Sequence, residues 1–264
     1  NYKIQVTNST DKDKSKKYIN YLYKKLQRKG ALEAECNKLV KTDRVTWGSC
    51  MVACGDADGM VAGNTRHYAA TVDKLMQSIG SRDDEIVFGL CVFVNRGRTI
   101  VIADTNVIEY PTSEELASIA KSSARVAKLL GLDPKIAFLS HSTFGQPETD
   151  RTKRISKAVE MLKDEKVNFL FDGEMQPDVA LNNKYKGTYS FSNIVGNANV
   201  LVMPSIHAAA ISIKMLKELS RGKVFGPLLI GLAQPIEVAP LRSSSSEILN
   251  LASIAAYSSE IIKY

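Results

Sequence analysis

Five short stretches of the chain gather residue types that can hold or activate a ligand. Gly55-Asp56-Ala57-Asp58-Gly59 crowds two carboxylates between glycines, with Thr65 and Arg66 shortly after. Asp104-Thr105-Asn106, Ser140-His141-Ser142-Thr143, Asp172-Gly173-Glu174-Met175-Gln176 and the segment from Gly231 onward each follow an apolar run. Asp56 and Asp58 are the right donors for a hard cation, yet the other oxygens of a calcium loop are missing, and a turn using its glycines at positive φ accounts for them equally. The hydroxyls of Ser142 and Thr143, followed by Gly145, suit a phosphate, or simply the start of a helix. His141 lacks an orienting carboxylate, so no triad is drawn. Asp172 and Glu174 lie too close along one chain to straddle a glycosidic bond, which leaves ligand binding or a bond to a neighbouring loop. The cysteines Cys36, Cys50, Cys54 and Cys91 have no zinc-ligand spacing, and no metal site is expected.

These stretches need elements to position them, and the apolar periodicity supplies an order. Helices are predicted over 11–29, 32–41, 68–79, 112–130, 149–163, 205–219 and 245–262, with strands over 135–140, 167–171, 199–203 and 227–232. The runs 85–94 and 99–103 form a predicted hairpin across a four-residue connection, Asn95-Arg96-Gly97-Arg98. Strands alternating with helices specify an α/β fold containing parallel strands. In open α/β sheets ligands bind beyond the carboxyl ends of the strands, where four of the five stretches are placed.

Composition narrows the function classes. Residues 1–48 hold 12 Lys/Arg against 5 Asp/Glu, which accounts for the whole net charge of +7. That region reads as a solvated basic face or a surface for an anionic partner, and it lacks the paired aromatics of a single-strand nucleic-acid binder. No nucleic-acid partner is expected. No apolar run reaches the roughly 18 residues of a membrane span. With unpaired cysteines, a reducing cytoplasm is the expected location. Neither G-x-G-x-x-G nor a Walker motif is present. The chain opens on Asn1 rather than Met, which reads as a processed or truncated chain.

Six stretches in order resemble signatures of the phosphate acetyl/butyryltransferase family. They are Gly55–Gly63, Ala103-Asp104-Thr105, Pro111–Ala117, Asp172–Gln176, Asn197–Pro204 and Gly226–Pro235, and the similarity runs from about Ile4 to the end. The resemblance implies a two-domain fold related to isocitrate and isopropylmalate dehydrogenases. The first subdomain would comprise residues 1–84 plus 231–264, lacking the family's first βα units at its amino end. The second, residues 85–230, would carry a dimer interface. The implied ligands are acetyl-CoA or CoA, and phosphate. Asp56, Asp58, Thr65 and Arg66 would line one side of the site, and Ser142, Thr143, Asp172, Glu174 and Gln176 the other, with Arg66 and Arg242 meeting phosphate.

The chain departs from the transferase pattern where the resemblance would place its catalytic groups. A Ser and an Arg of the family fall on Pro240 and Leu241, and the Asp that acts as base falls on Glu247. Pro offers no side-chain donor and Leu cannot hold an anion. In this departure the chain is similar to the carboxy-terminal domains of bacterial NADP-dependent malic enzymes, as it is in Ser142–Gly145 and Leu201–Pro204. That branch implies an assembly and acetyl-CoA-sensing role, no cofactor required by this domain, and NADP and a divalent metal only in amino-terminal malic-enzyme domains. The alternative is an active phosphate acetyltransferase with Glu247 as base.

Overall fold

The computed structural model describes residues 5–83 and 85–262, in two compact units. One comprises residues 1–84 and 232–264, the other residues 85–231. The first unit begins with α1 (Lys12–Leu26), capped by the Asp11 carboxylate, which accepts from Lys14 N–H at 3.1 Å. Gly30, at φ +87°, ends the 3₁₀ turn that follows α1. Tyr18, Leu22 and Leu26 recur every fourth residue, so they share one face, and all three are buried. That face packs with Cys36 and Val40 of α2 (Glu33–Thr42) and with Trp47 and Cys50 of α3 (Arg44–Ala53). Tyr18 and Trp47 meet edge to face, 4.8 Å between ring centroids. β1 (Met60–Gly63) and α4 (Tyr68–Ser78) complete this stretch.

The second unit is a six-stranded sheet with helices around it. β2 (Phe88–Asn95) and β3 (Arg98–Ala103) are the predicted hairpin, but the connection is Arg96-Gly97 alone. Both residues have positive φ, +48° and +76°, the conformation that lets a two-residue turn follow the strand twist. α5 (Ser113–Leu129) opens with a capping box: Glu115 N–H donates to Thr112 Oγ1 and Thr112 N–H to the Glu115 carboxylate. β4 (Lys135–Leu139), α6 (Asp150–Asp164), β5 (Leu170–Met175), a short α7 (Pro177–Leu181), β6 (Val200–Val202), α8 (Ile206–Leu219) and β7 (Lys223–Ile230) follow. The sheet order is β5-β4-β6-β3-β2-β7, with β5, β4, β6 and β3 parallel and β2 antiparallel to both neighbours. Ile136–Leu139 and Val200–Val202 are buried throughout, as parallel strands covered on both faces must be.

The chain then returns to the first unit through β8 (Ile236–Ala239) and α9 (Ser245–Ile262). β8 pairs in parallel with β1, from Met60 opposite Ile236 to Gly63 opposite Ala239. Two expectations are corrected. β5 runs through Asp172, Gly173 and Glu174, so these residues belong to a strand and not to a loop beyond it. The connection expected after Gly231 contains a further strand, β8. No helix among the described residues is long and apolar enough to cross a membrane.

The β1–β8 pair depends on a missing side chain. Gly63 sits at φ +101°, and a Cβ there would lie 2.2 Å from the Ala239 carbonyl oxygen. Gly63→Ala is therefore expected to cost about 2 kcal/mol or more, read as a lower urea midpoint at unchanged slope.

Candidate functional site

Each unit has strand-end loops of its own. In the first, β1 and β8 end side by side, and their loops are laced together. Asn64 N–H donates to the Ala239 carbonyl at 3.0 Å, and Arg242 N–H to the Asn64 carbonyl at 3.2 Å. Thr65, Arg66 and Arg242 are exposed on these loops. Arg66 Nη1 bonds Asp43 Oδ2 at 2.7 Å, and the same carboxylate caps α3 by accepting from Thr46 N–H at 2.9 Å. Burial pushes the Asp43 carboxyl up, but the Thr46 N–H and Arg66 outweigh it and hold it below its ordinary value. Arg66 is thereby aimed by a helix cap while its side chain stays 41% exposed. With the amino end of α9 following Arg242, this corner offers two guanidiniums to an anion.

Two other first-unit candidates, Asp56 and Glu247, are bonded within the protein. Asp56 accepts from Lys17 Nζ at 2.9 Å and from Tyr18 OH at 2.8 Å, tying the Gly55–Gly59 turn to α1. Those two bonds, Lys17's first, hold its carboxyl below the ordinary 3.8. Asp58 is exposed in the same turn. Among the described residues no group of three or more His, Cys, Asp and Glu could hold a metal. The Glu247 carboxylate accepts from Ser244 N–H at 2.8 Å and from Ser244 Oγ at 3.0 Å, while Glu247 N–H donates to Ser244 Oγ at 3.2 Å. This is the capping box at the amino end of α9, so the carboxylate expected as a base is engaged in starting a helix.

In the second unit the Ser140–Gly145 loop closes on Glu174, which is 1% exposed. Glu174 Oε1 accepts from Gly145 N–H at 2.6 Å and Ser142 Oγ at 3.4 Å, and Oε2 from Ser156 Oγ at 2.6 Å. Phe144 N–H donates to the Glu174 carbonyl at 2.9 Å, Thr143 N–H to the Gln146 carbonyl at 3.4 Å and Ser142 N–H to Ser140 Oγ at 3.3 Å. Gln176 N–H donates to Thr143 Oγ1 at 3.1 Å, and its side-chain amide to the His141 carbonyl at 2.6 Å. Of the donors expected to meet a phosphate here, the N–H groups of Ser142, Thr143, Phe144 and Gly145 are bonded within the protein, and Ser142 is fully buried. Asp172 Oδ1 accepts from Gly173 N–H at 2.9 Å.

Sequence reasoning named Asp104 only as part of a loop, yet it does the most local work. It is 2% exposed, and its carboxylate accepts from the backbone N–H groups of Gly89, Asn106, Val107 and Ile108. Burial pushes its carboxyl up, and these donors partly offset the rise. Its position at the end of a parallel strand was the available signal.

The chain matches the family described as phosphate acetyl/butaryl transferase over residues 1–256. It belongs to that family. Within it, the chain is 45% identical over 254 residues to an NADP-dependent malic enzyme of Rhizobium meliloti (strain 1021), covering 96% of this chain and 33% of that protein. The chain thus spans about a third of that relative's length and corresponds to its carboxy-terminal part. It is also 30% identical over 274 residues to a phosphate acetyltransferase of Acetivibrio thermocellus, covering 98% of this chain and 81% of that protein. A solved phosphotransacetylase from Streptococcus pyogenes superposes with a TM-score of 0.87 at 28% identity, over 95% of this chain and 76% of its own.

Glu174→Gln leaves one acceptor oxygen where Gly145 N–H and Ser142 Oγ meet Oε1 and Ser156 Oγ meets Oε2, and is expected to cost about 1–3 kcal/mol in urea unfolding. Ser156→Ala is expected to cost less. Asp56 supplies the acid dependence. Its folded carboxyl lies below 3.8, so its contribution is present above that value and is lost as pH falls through the folded value. The stability difference between wild type and Asp56→Asn should therefore shrink below about pH 4. A difference constant from pH 7 to pH 2 would show that the carboxylate's charge is irrelevant.

Proposed function

We propose that this chain is the phosphotransacetylase-like carboxy-terminal portion of an NADP-dependent malic enzyme, acting in oligomer assembly and acetyl-CoA-linked regulation without transferase turnover. The observation carrying this reading is the segment after β8. Pro240 and Leu241 stand where the family's Ser and Arg are expected, and Glu247 is occupied in the α9 capping box. A transferase needs a donor on the developing anion and a free base, and removing one such donor costs about 3–4 kcal/mol of barrier. In this reading malate oxidation, NADP and a divalent metal belong to amino-terminal domains, and the whole protein works in the cytoplasm.

The ligand is acetyl-CoA or CoA, and its phosphates are met by Arg66, Arg242 and Thr65 at the ends of β1 and β8. Planar guanidiniums chelate phosphate oxygens, and both arginines keep exposed head groups. Assembly uses α8, whose Ile211, Met215 and Leu219 form an exposed stripe spaced every four residues, 60%, 54% and 80% accessible. Such a stripe on a helix fits a second copy of the same face.

A working phosphate acetyltransferase is the second reading, favoured by Arg242, which stands one residue after Leu241 at φ +61°. Acetyl transfer between CoA and phosphate, measured beside acetyl-CoA binding by calorimetry, separates the two. Binding without turnover is expected, weakened on the order of tenfold, about 1.4 kcal/mol, in Arg66→Gln or Arg242→Gln. Turnover that disappears in Glu247→Ala would overturn the regulatory reading. For assembly, Ile211→Glu with Met215→Glu should lower the mass seen by light scattering.

A further inference from the structure

The second unit contains a cavity of about 300 Å³ that the proposed ligand does not use. It lies at the carboxyl ends of β4 and β6, with α6 and α8 contributing to its wall. Its lining includes His141, Arg151 and Arg154, the hydroxyl residues Ser205 and Ser212, and no Asp or Glu. An acid-free wall with two guanidiniums would repel itself without a counter-charge, which is the electrostatic mark of an anion site.

We infer that this cavity binds a small metabolite through a carboxylate or phosphate oxyanion gripped by Arg151 and Arg154. Both head groups are placed before any ligand arrives. Arg154 Nη2 donates to the Pro204 carbonyl at 3.1 Å, and Arg151 lies over the Tyr110 ring, 5.9 Å from its centroid. Arg154 Nε is buried without a hydrogen-bond partner. A buried donor left unmade is costly, and an oxyanion taken up beside this head group gives the guanidinium edge an acceptor. The amino end of α8, capped by Ser205, adds its partial positive charge to the same wall. The volume corresponds to roughly ten waters, enough for a short dicarboxylate or a phosphate ester. The inference is independent of the acetyl-CoA reading, which rests on loops of the first unit.

The test titrates the full chain, free of CoA, with inorganic phosphate and separately with succinate by calorimetry. Saturable binding of at least one of them is expected at one site per chain. Affinity should fall at least tenfold in Arg151→Gln and in Arg154→Gln. Ala208→Leu, which fills the cavity from α8, should do the same without removing a charge. Arg151 is exposed, so its variant keeps the test open if Arg154→Gln fails to fold. Binding of phosphate alone points to a phosphate ester, and of succinate alone to a carboxylate. The inference is overturned if neither anion binds, or if affinity is unchanged in Arg151→Gln and Ala208→Leu. It is equally overturned if Arg66→Gln abolishes the binding, which would place the anion in the first unit.

Discussion

A carboxylate withdrawn from water must be met by donors, and in the second unit that requirement shapes the strand ends. Glu174 sits inside β5, so its carboxylate cannot move to its partners; they come to it. Ser142 and Gly145 bend in from the loop after β4, and Ser156 reaches across from α6. One buried charge thus fixes a strand, a loop and a helix relative to one another. Asp104 repeats the device at the end of β3, gathering the N–H groups of Asn106, Val107 and Ile108 into a closed turn and tying it to Gly89 of β2. Buried anions of this kind are tolerated because hydrogen bonds replace hydration. The cost is that the same groups are no longer available to a ligand.

The first unit solves its problem differently. Among the described residues its sheet has two strands, far apart in the chain, and their pairing brings the Asn64–Arg66 loop beside the Pro240–Ser244 segment. The acids there serve as caps and ties: Asp43 for α3, Asp56 for α1, Glu247 for α9. Arg66 and Arg242 stay exposed on these loops, while the Glu247 carboxylate is bonded to Ser244.

The basic amino-terminal region is also partly explained by structure. Lys17 holds Asp56, and Lys25 Nζ donates to the Ile79 carbonyl, joining α1 to the end of α4. Burial lowers the Lys25 ammonium below its ordinary value. These lysines are bonded to the protein itself, and the charge surplus of the sequence overstates what the surface offers to a partner.

Local rules in the sequence determined most of the helices. The helices over 11–29, 112–130 and 205–219 are visible because helical period, as in Tyr18, Leu22 and Leu26, is encoded within a few residues. The alternation of strands and helices determined the α/β class, and six ordered motifs carried the family. α3 was not legible: Val45, Thr46 and Val52 are poor helix formers, and burial on nearly every side leaves no stripe to read. β1 and β8 were missed because a four-residue parallel strand acquires its hydrogen bonds only from a partner far away in sequence. The fate of the site residues lay in tertiary structure as well. Whether Glu174, Asp56 or Glu247 faces a ligand or a neighbouring donor depends on which groups the fold brings within 3 Å, and no spacing along the chain contains that information.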